Sequence, residues 1–213
     1  MKVYKVKMRD FLNDKINKPI REKRDIILLL LETIKIFGSS ENNVFDEKGQ
    51  ITICVDKMSR IFYWTESKYF SYVFPFSVEQ RNGHYKFYDN LTECELNDRM
   101  ISLLISIFRQ DGILGDSLEK AMDTIIESAE EYEYKDIDTI WRLIFKLWYM
   151  EDGYIRYDCD LNNENGDRHP LYHFDVNYSS GVTYKIGLRH AINGSDFQDV
   201  LDVKTDCAYL NFI

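Results

Sequence analysis

The sequence predicts a mainly helical α+β fold in which four or five helices pack on a carboxyl-terminal antiparallel sheet. Residues 153–189 alternate between apolar and polar side chains with the period of two that marks half-buried strands. Upstream of them lie several apolar segments with helical spacing, bounded by capping residues and glycines. We therefore expect one domain over residues 1–213, with a helical part at about 1–152 and a sheet part at about 153–213.

The predicted sheet is a meander. Its strands lie at about 153–160, 170–178, 182–189 and 205–212. Matching apolar side chains to apolar side chains across neighbouring strands sets the register, because a slip by one residue would exchange the two faces. This register places Asp158 opposite His173, and Asp175 between Arg156 and Lys185.

One face of this sheet is expected to carry five polar groups, namely Arg156, Asp158, His173, Asp175 and Lys185. Carboxylates and an imidazole are ligands that a divalent metal accepts, and a lysine beside them could steady developing charge. We therefore name Asp158, His173 and Asp175 as candidate metal ligands. As candidate catalytic residues of a metal-dependent hydrolase or nuclease we name these three with Lys185.

The same five residues also fit a structural explanation, since opposite charges on adjacent strands pair across any solvated sheet face. Ion pairing is the favoured interpretation of the pattern. Asp202 and Lys204 form the D-x-K tripeptide found in some metal nucleases, but this tripeptide is common by chance.

The amino-terminal part is expected to begin with a strand at about 3–8, followed by a central core helix from Asn17 to Phe37 with Pro19 in its first turn. A further strand is expected at 51–55. Residues 57–72 fit a helix only moderately, and their aromatic and β-branched content leaves a strand open.

The middle of the chain contains the clearest hairpin signal, Asn82-Gly83 between two apolar runs. A capping box of Thr92 and Glu95 predicts a helix to about residue 110. Two more helices are expected at about 117–132 and 137–150. With the strands that follow, these two helices have the order of a winged-helix module, so a DNA-binding regulator is a second alternative function.

Composition limits the classes of function. The net charge of −9 argues against non-specific binding to nucleic acid or to an anionic membrane. Four scattered cysteines without metal-binding spacing predict free thiols in a reducing compartment. The longest apolar run, residues 26–31, is too short to span a bilayer, and no secretory signal is visible. These features predict a cytoplasmic location.

The leading functional hypothesis is a non-enzymatic protein-interaction module. Examples are an accessory subunit, an antitoxin-like inhibitor or a component of an antiviral defence system. No phosphate-binding loop, nucleophile elbow or zinc-protease motif is present in the sequence. We therefore expect a protein partner and no cofactor, with a divalent metal only if the hydrolase alternative holds. The sequence does not define the partner, the substrate or the oligomeric state.

Overall fold

The computed structural model describes residues 1–8, 12, 15–16, 18–38, 49–66, 68–111, 113 and 117–209. The chain divides into two compact units. The first unit is made of Met1–Arg9, Val44–Phe74 and Asp152–Ile213, and the second of Asp10–Asn43 and Pro75–Glu151. The single domain expected over residues 1–213 stays a prediction.

The described residues form nine strands and five α-helices. The strands are β1 (Lys2–Lys7), β2 (Gln50–Val55), β3 (Ser59–Trp64), β4 (Lys68–Val73), β5 (Ser77–Arg81), β6 (His84–Tyr88), β7 (Ile155–Cys159), β8 (Tyr172–Val176) and β9 (Tyr184–Leu188). The helices are α1 (Lys23–Gly38), α2 (Asp98–Arg109), α3 (Leu118–Glu131), α4 (Ile137–Tyr149) and α5 (Gly194–Leu201). A short 3₁₀ helix spans Gly166–Arg168.

The first unit is built on one antiparallel sheet of seven strands in the order β1-β2-β3-β4-β7-β8-β9. The predicted fold class is therefore wrong. The sheet starts at the amino terminus, and most helices come in the middle of the chain instead of packing on a carboxyl-terminal sheet. β2, β3 and β4 are largely buried on both faces, so each of them carries apolar residues at positions of both faces.

The region read as a possible helix, residues 57–72, contains the strands β3 and β4. The strands expected at about 153–160, 170–178 and 182–189 are confirmed as β7, β8 and β9, and those at 3–8 and 51–55 as β1 and β2. The strand expected at 205–212 is wrong for residues 205–209, which have no regular structure, and residues 210–212 lie outside the described residues.

Helix α5 covers one face of this sheet. Phe197 at its centre is fully buried and meets the rings of Phe62, Trp64 and Phe174 at centroid distances of 6.2, 5.9 and 6.0 Å. Asn193 caps the helix in a reciprocal capping box with Asp196. An eight-residue helix is marginal alone, so this aromatic packing is what holds α5 in place.

The opposite face is apolar over β1 to β4 and polar over β7 to β9. Tyr63 and Tyr72 are fully buried in its apolar part, and their hydroxyl groups form a hydrogen bond of 2.7 Å. Each hydroxyl thereby satisfies the other where water does not reach. The polar part holds the candidate site.

The second unit contains α1 to α4 and a two-stranded sheet of β5 and β6. The predicted hairpin is confirmed: Asn82 and Gly83 both have positive φ, as its tight turn requires, and Glu79 faces Lys86. The helices expected at 117–132 and 137–150 are also confirmed, with Ser117 and Asp136 as their caps.

Two predicted helix starts are wrong. α1 begins at Lys23, beyond Pro19, and Asn17 lies outside the described residues. α2 is capped by Asn97 instead of Thr92, because the Thr92 amide and hydroxyl both donate to Asp89 at 2.8 Å.

The possible winged-helix segment is also wrong. The two strands after α4 would have to form a free wing, but β7 and β8 lie between β4 and β9 in the large sheet. Among the described residues, no helix is long and apolar enough to cross a membrane.

Candidate functional site

The candidate site is a group of charged side chains on the polar part of the sheet, formed by β7, β8 and β9. Its register is the one predicted from the sequence: Asp158 lies opposite His173, Arg156 opposite Asp175, and Asp175 opposite Lys185. We call these five side chains the ion cluster.

Arg156 joins the two carboxylates of the ion cluster. Its Nε donates to Asp158 at 2.7 Å, and its Nη2 donates to both Asp158 and Asp175. The side chains of Arg156, Asp158 and Asp175 are only 21%, 14% and 11% exposed. Charged groups this deeply buried require direct neutralisation, and Arg156 supplies it.

Lys185 completes the neutralisation from the edge strand. Its ammonium donates to Asp175 Oδ1 at 2.6 Å and to His173 Nε2 at 2.8 Å. His173 Nδ1 lies 2.8 Å from the carbonyl oxygen of Pro170, which can only accept, so Nδ1 carries the proton. Nε2 is then the acceptor, and His173 is neutral beside a charged Lys185.

Burial and neighbouring charges shift the pKa values of Arg156 and of the adjacent Tyr154. Burial lowers the pKa of Arg156, but its hydrogen bond to Asp158 and the nearby carboxylates outweigh burial and raise the pKa above its ordinary value. Burial raises the pKa of the neighbouring Tyr154 to about 12. Arg156 is therefore a permanent cation of the fold.

Lys68 on β4 is a sixth member of this region that the sequence did not indicate. It pairs in register with Asp158, and its ammonium lies 5.4 Å from the ring centroid of Phe70. Burial, and then repulsion from Arg156, lower its pKa to about 8. The sequence leaves a strand open at residues 57–72, but no pattern in it indicates that this strand pairs with β7.

A metal could use three members of the ion cluster. Ligand atoms of Asp158, His173 and Asp175 lie within 4.8 Å of one another. His173 Nε2 lies 3.8 Å from Asp158 Oδ2 and 3.9 Å from Asp175 Oδ1. However, the one lone pair of His173 Nε2 already accepts from Lys185, and Asp175 Oδ1 accepts from the same ammonium. A metal would therefore have to displace the Lys185 ammonium.

Two further pairs of residues concern the candidate site: His169 with Asp160 near the cluster, and the D-x-K residues Asp202 and Lys204. His169 packs edge-on against His173, with ring centroids 4.8 Å apart, and its Nε2 lies 3.9 Å from Asp160. Asp202 ends α5, and Lys204 bonds to Asp56. The D-x-K tripeptide is therefore engaged in capping and in a surface ion pair.

Helix α4 carries a second feature that the sequence did not reveal. Trp141, Phe145 and Tyr149 stack along one side of it, with ring centroids 4.9 and 4.8 Å apart. Phe145 and Tyr149 are 40% and 68% exposed. We call these three rings the aromatic ladder. The high apolar content of α4 is typical of a core helix. Which of its rings point outward follows only from how the helix is rotated against the core in the structure.

Comparison of the chain with protein-family models, with curated proteins and with solved structures finds no match.

Replacing Arg156 by methionine is expected to destabilise the fold by about 3–5 kcal/mol, because it leaves two buried carboxylates without their shared cation. Arg142→Met is the matched control, since Arg142 forms an exposed pair with Asp138 one helical turn away. This control should cost less than about 0.5 kcal/mol. Equilibrium unfolding in urea measures both, and equal losses for the two variants would contradict the role given to Arg156.

The depressed pKa of Lys68 predicts a pH dependence of stability. Between pH 8 and the ordinary value of 10.5, the unfolded chain binds more protons at this residue than the folded chain. The free energy of unfolding therefore rises with pH across this window. The parent protein should gain on the order of 1 kcal/mol relative to Lys68→Met over this window.

Unfolding in urea at pH 7, 8, 9 and 10 measures this gain, with a variant of the exposed Lys2, Lys2→Met, as control. The same pH dependence in parent and Lys68→Met would show that Lys68 does not titrate in this window.

Proposed function

We propose that this chain is a non-enzymatic cytoplasmic module that binds another protein through the aromatic ladder of α4. The ladder carries the proposal because it places two large rings in solvent on one side of a rigid helix. Aromatic side chains are enriched at the centres of protein interfaces, where they contribute much of the binding energy. Burying a fully exposed ring contributes roughly 1.5–3 kcal/mol, so covering Phe145 and Tyr149, which are 40% and 68% exposed, would contribute roughly 0.6–1.2 and 1–2 kcal/mol.

The partner surface that fits this ladder is an amphipathic helix. The three rings lie four residues apart along α4, so the ladder extends about 12 Å at 1.5 Å per residue. A partner helix presents anchors with the same spacing along an apolar stripe. A ridge of rings on one helix fits the groove between such anchors on another.

Charge indicates that this partner helix is basic. The exposed side of the preceding helix α3 is acidic, and none of its acidic groups has an ion-pair partner among the described residues; they are Glu119, Asp123, Glu127, Glu130 and Glu131. A partner with lysine or arginine beside its apolar stripe would be attracted to this surface, and the attraction would weaken with salt.

The cysteines support the cytoplasmic location. All four are free thiols, including the exposed Cys207, and the buried Cys54 has its pKa raised to about 11 by burial. An exposed free thiol is typical of a reducing compartment.

The ion cluster supports a non-enzymatic function. Arg156 and Lys185 both donate to its carboxylates, and Lys185 also donates to the imidazole, so the cluster is internally neutralised. The cluster is better explained as the means by which charged side chains are accommodated in a buried part of the sheet.

A metal-dependent hydrolase or nuclease is the second candidate. The observation in its favour is the grouping of Asp158, His173 and Asp175 within 4.8 Å. In this alternative the metal would take the place of the Lys185 ammonium, and Lys185 would be released to bind the developing negative charge of a substrate.

The double variant Phe145→Ala with Tyr149→Ala should lose its partner. Cross-linking purification of the tagged chain from its native cells, followed by mass spectrometry, should show one stoichiometric protein with the parent and at least tenfold less of it with the variant. Leu91→Ala is the control, because Leu91 is 71% exposed in the same unit but lies outside the ladder.

Support further requires that a basic amphipathic helix of the captured protein, made as a peptide, binds the parent in a salt-dependent manner. Retention of the captured protein by the double variant would refute the role of the ladder.

Metal addition separates the two candidate functions. On the leading proposal, millimolar Mn²⁺ or Mg²⁺ should change the melting temperature of the parent by less than about 1 °C, because Lys185 and Arg156 occupy the ligand atoms. A rise of several degrees that is lost in His173→Ala and Asp175→Ala, but kept in His190→Ala, would favour the hydrolase. His190 is the control because its side chain is exposed in the same unit.

A further inference from the structure

The two edges of the seven-stranded sheet differ in charge. The edge strand β1 carries Lys2, Lys5 and Lys7, and an edge with several lysines resists pairing with another chain. The other edge strand, β9, has one lysine in five residues and no proline. That lysine is Lys185, whose ammonium is turned inward to Asp175 and His173. β9 therefore lacks the charge that protects β1.

The outer side of β9 is open. In the part of the chain that the structure describes, β8 is the only strand that pairs with β9. Tyr184 at its start is 56% exposed, and Val182 just before it is 61% exposed. An apolar edge strand with unpaired backbone groups is a template for strand addition.

We propose that β9 pairs with β9 of a second copy of this chain, antiparallel and centred on Ile186. The two sheets would then form one continuous antiparallel sheet. This inference concerns the first unit and does not depend on the aromatic ladder of α4.

The side chains of β9 are complementary to themselves in this register. On the face that α5 covers, Tyr184 lies opposite Leu188 of the second copy, and Ile186 lies opposite its own equivalent. Ile186 and Leu188 are half-buried against the aromatic cluster under α5, so the apolar surface would continue across the join. Cross-strand pairs of an aromatic and an aliphatic side chain stabilise antiparallel strands.

On the other face, Lys185 lies opposite Gly187 of the second copy, so no two like charges meet. Gly187 suits this position because Pro170 already lies over it, and a Cβ atom there would come within 2.9 Å of Pro170 Cγ. The Lys185 side chain leans toward its own ion cluster and away from the join.

A second copy is the occupant that this edge specifies. In this register each side chain of β9 lies opposite a compatible side chain from the same five residues of the second copy, as a two-fold interface requires. The pairing also ends at two copies, because the remaining edges of the joined sheet are both β1 strands with their three lysines.

Sedimentation equilibrium of the whole chain tests this inference. The parent should form a dimer, and Tyr184→Lys should weaken dimerisation by roughly tenfold or more, since it places charge opposite Leu188 in each half of the interface. Val3→Lys is the matched control: Val3 is 42% exposed on β1, and this variant should dimerise as the parent does. Because Tyr184 is 56% exposed, Tyr184→Lys should keep the circular dichroism spectrum of the parent.

The register has its own test. In a Cys207→Ser background, Ile186→Cys should oxidise to a disulfide-linked dimer, whereas Val3→Cys should not. A parent that stays monomeric up to about 200 μM, where even a 10 μM dissociation constant would give mostly dimer, overturns the inference. So does a dimer that Tyr184→Lys leaves intact, since the contact would then lie elsewhere.

Discussion

Arg156 neutralises the polar face of the large sheet, because the buried Asp175 and the half-buried Asp158 on adjacent strands share its guanidinium group. Without a cation between Asp158 and Asp175, the pairing of β7 with β8 would bring two like charges together in a poorly hydrated place. Lys185 then donates to Asp175 Oδ1, which Arg156 does not reach, and to His173 Nε2. This neutralisation also fixes the register, since a slip by one residue would turn the charges toward the aromatic face that α5 covers.

The same neutralisation shapes the functional interpretation. His173 Nε2 and Asp175 Oδ1 both accept from the Lys185 ammonium, so a metal ion or a substrate would have to displace that ammonium to reach them. The two interaction surfaces that we propose are apolar instead: the rings of Phe145 and Tyr149 in one unit and the edge of β9 in the other. Both follow from apolar side chains that the fold leaves exposed, and exposed clusters of this kind mark interaction sites.

The part of the candidate site that the sequence predicts lies on strands with one polar and one apolar face. β7, β8 and β9 alternate in polarity, and their register, including Asp158 opposite His173, follows from that alternation. β3 and β4 are buried on both faces, so no period of two is visible in them, and the connections at 56–58 and 65–67 contain neither glycine nor proline.

The pairing of β4 with β7 also lay beyond sequence reasoning. Most of the second unit, including a hairpin and three helices, separates the two strands in the chain. Lys68 reaches Asp158 only through this long-range pairing, so the ion cluster could be predicted on its β7–β9 side but not on its β4 side. The polarity pattern of the sequence predicts the register of strands that follow one another in the chain. The pairing of strands that are separated by most of a unit depends instead on tertiary packing.

Lys185 connects the interior of the sheet to its edge. A lysine on an edge strand protects that strand only when its charge points outward, over the unpaired backbone. In β9 the Lys185 ammonium instead neutralises Asp175. Its charge is therefore not available to keep another strand from pairing with the edge of β9. On β1, neither Lys2 nor Lys5 has a carboxylate partner among the described residues. Their charges therefore stay available to keep another strand from pairing with this edge. The inward direction of the Lys185 side chain therefore has two consequences: it neutralises the ion cluster, and it leaves the edge of β9 without a protecting charge.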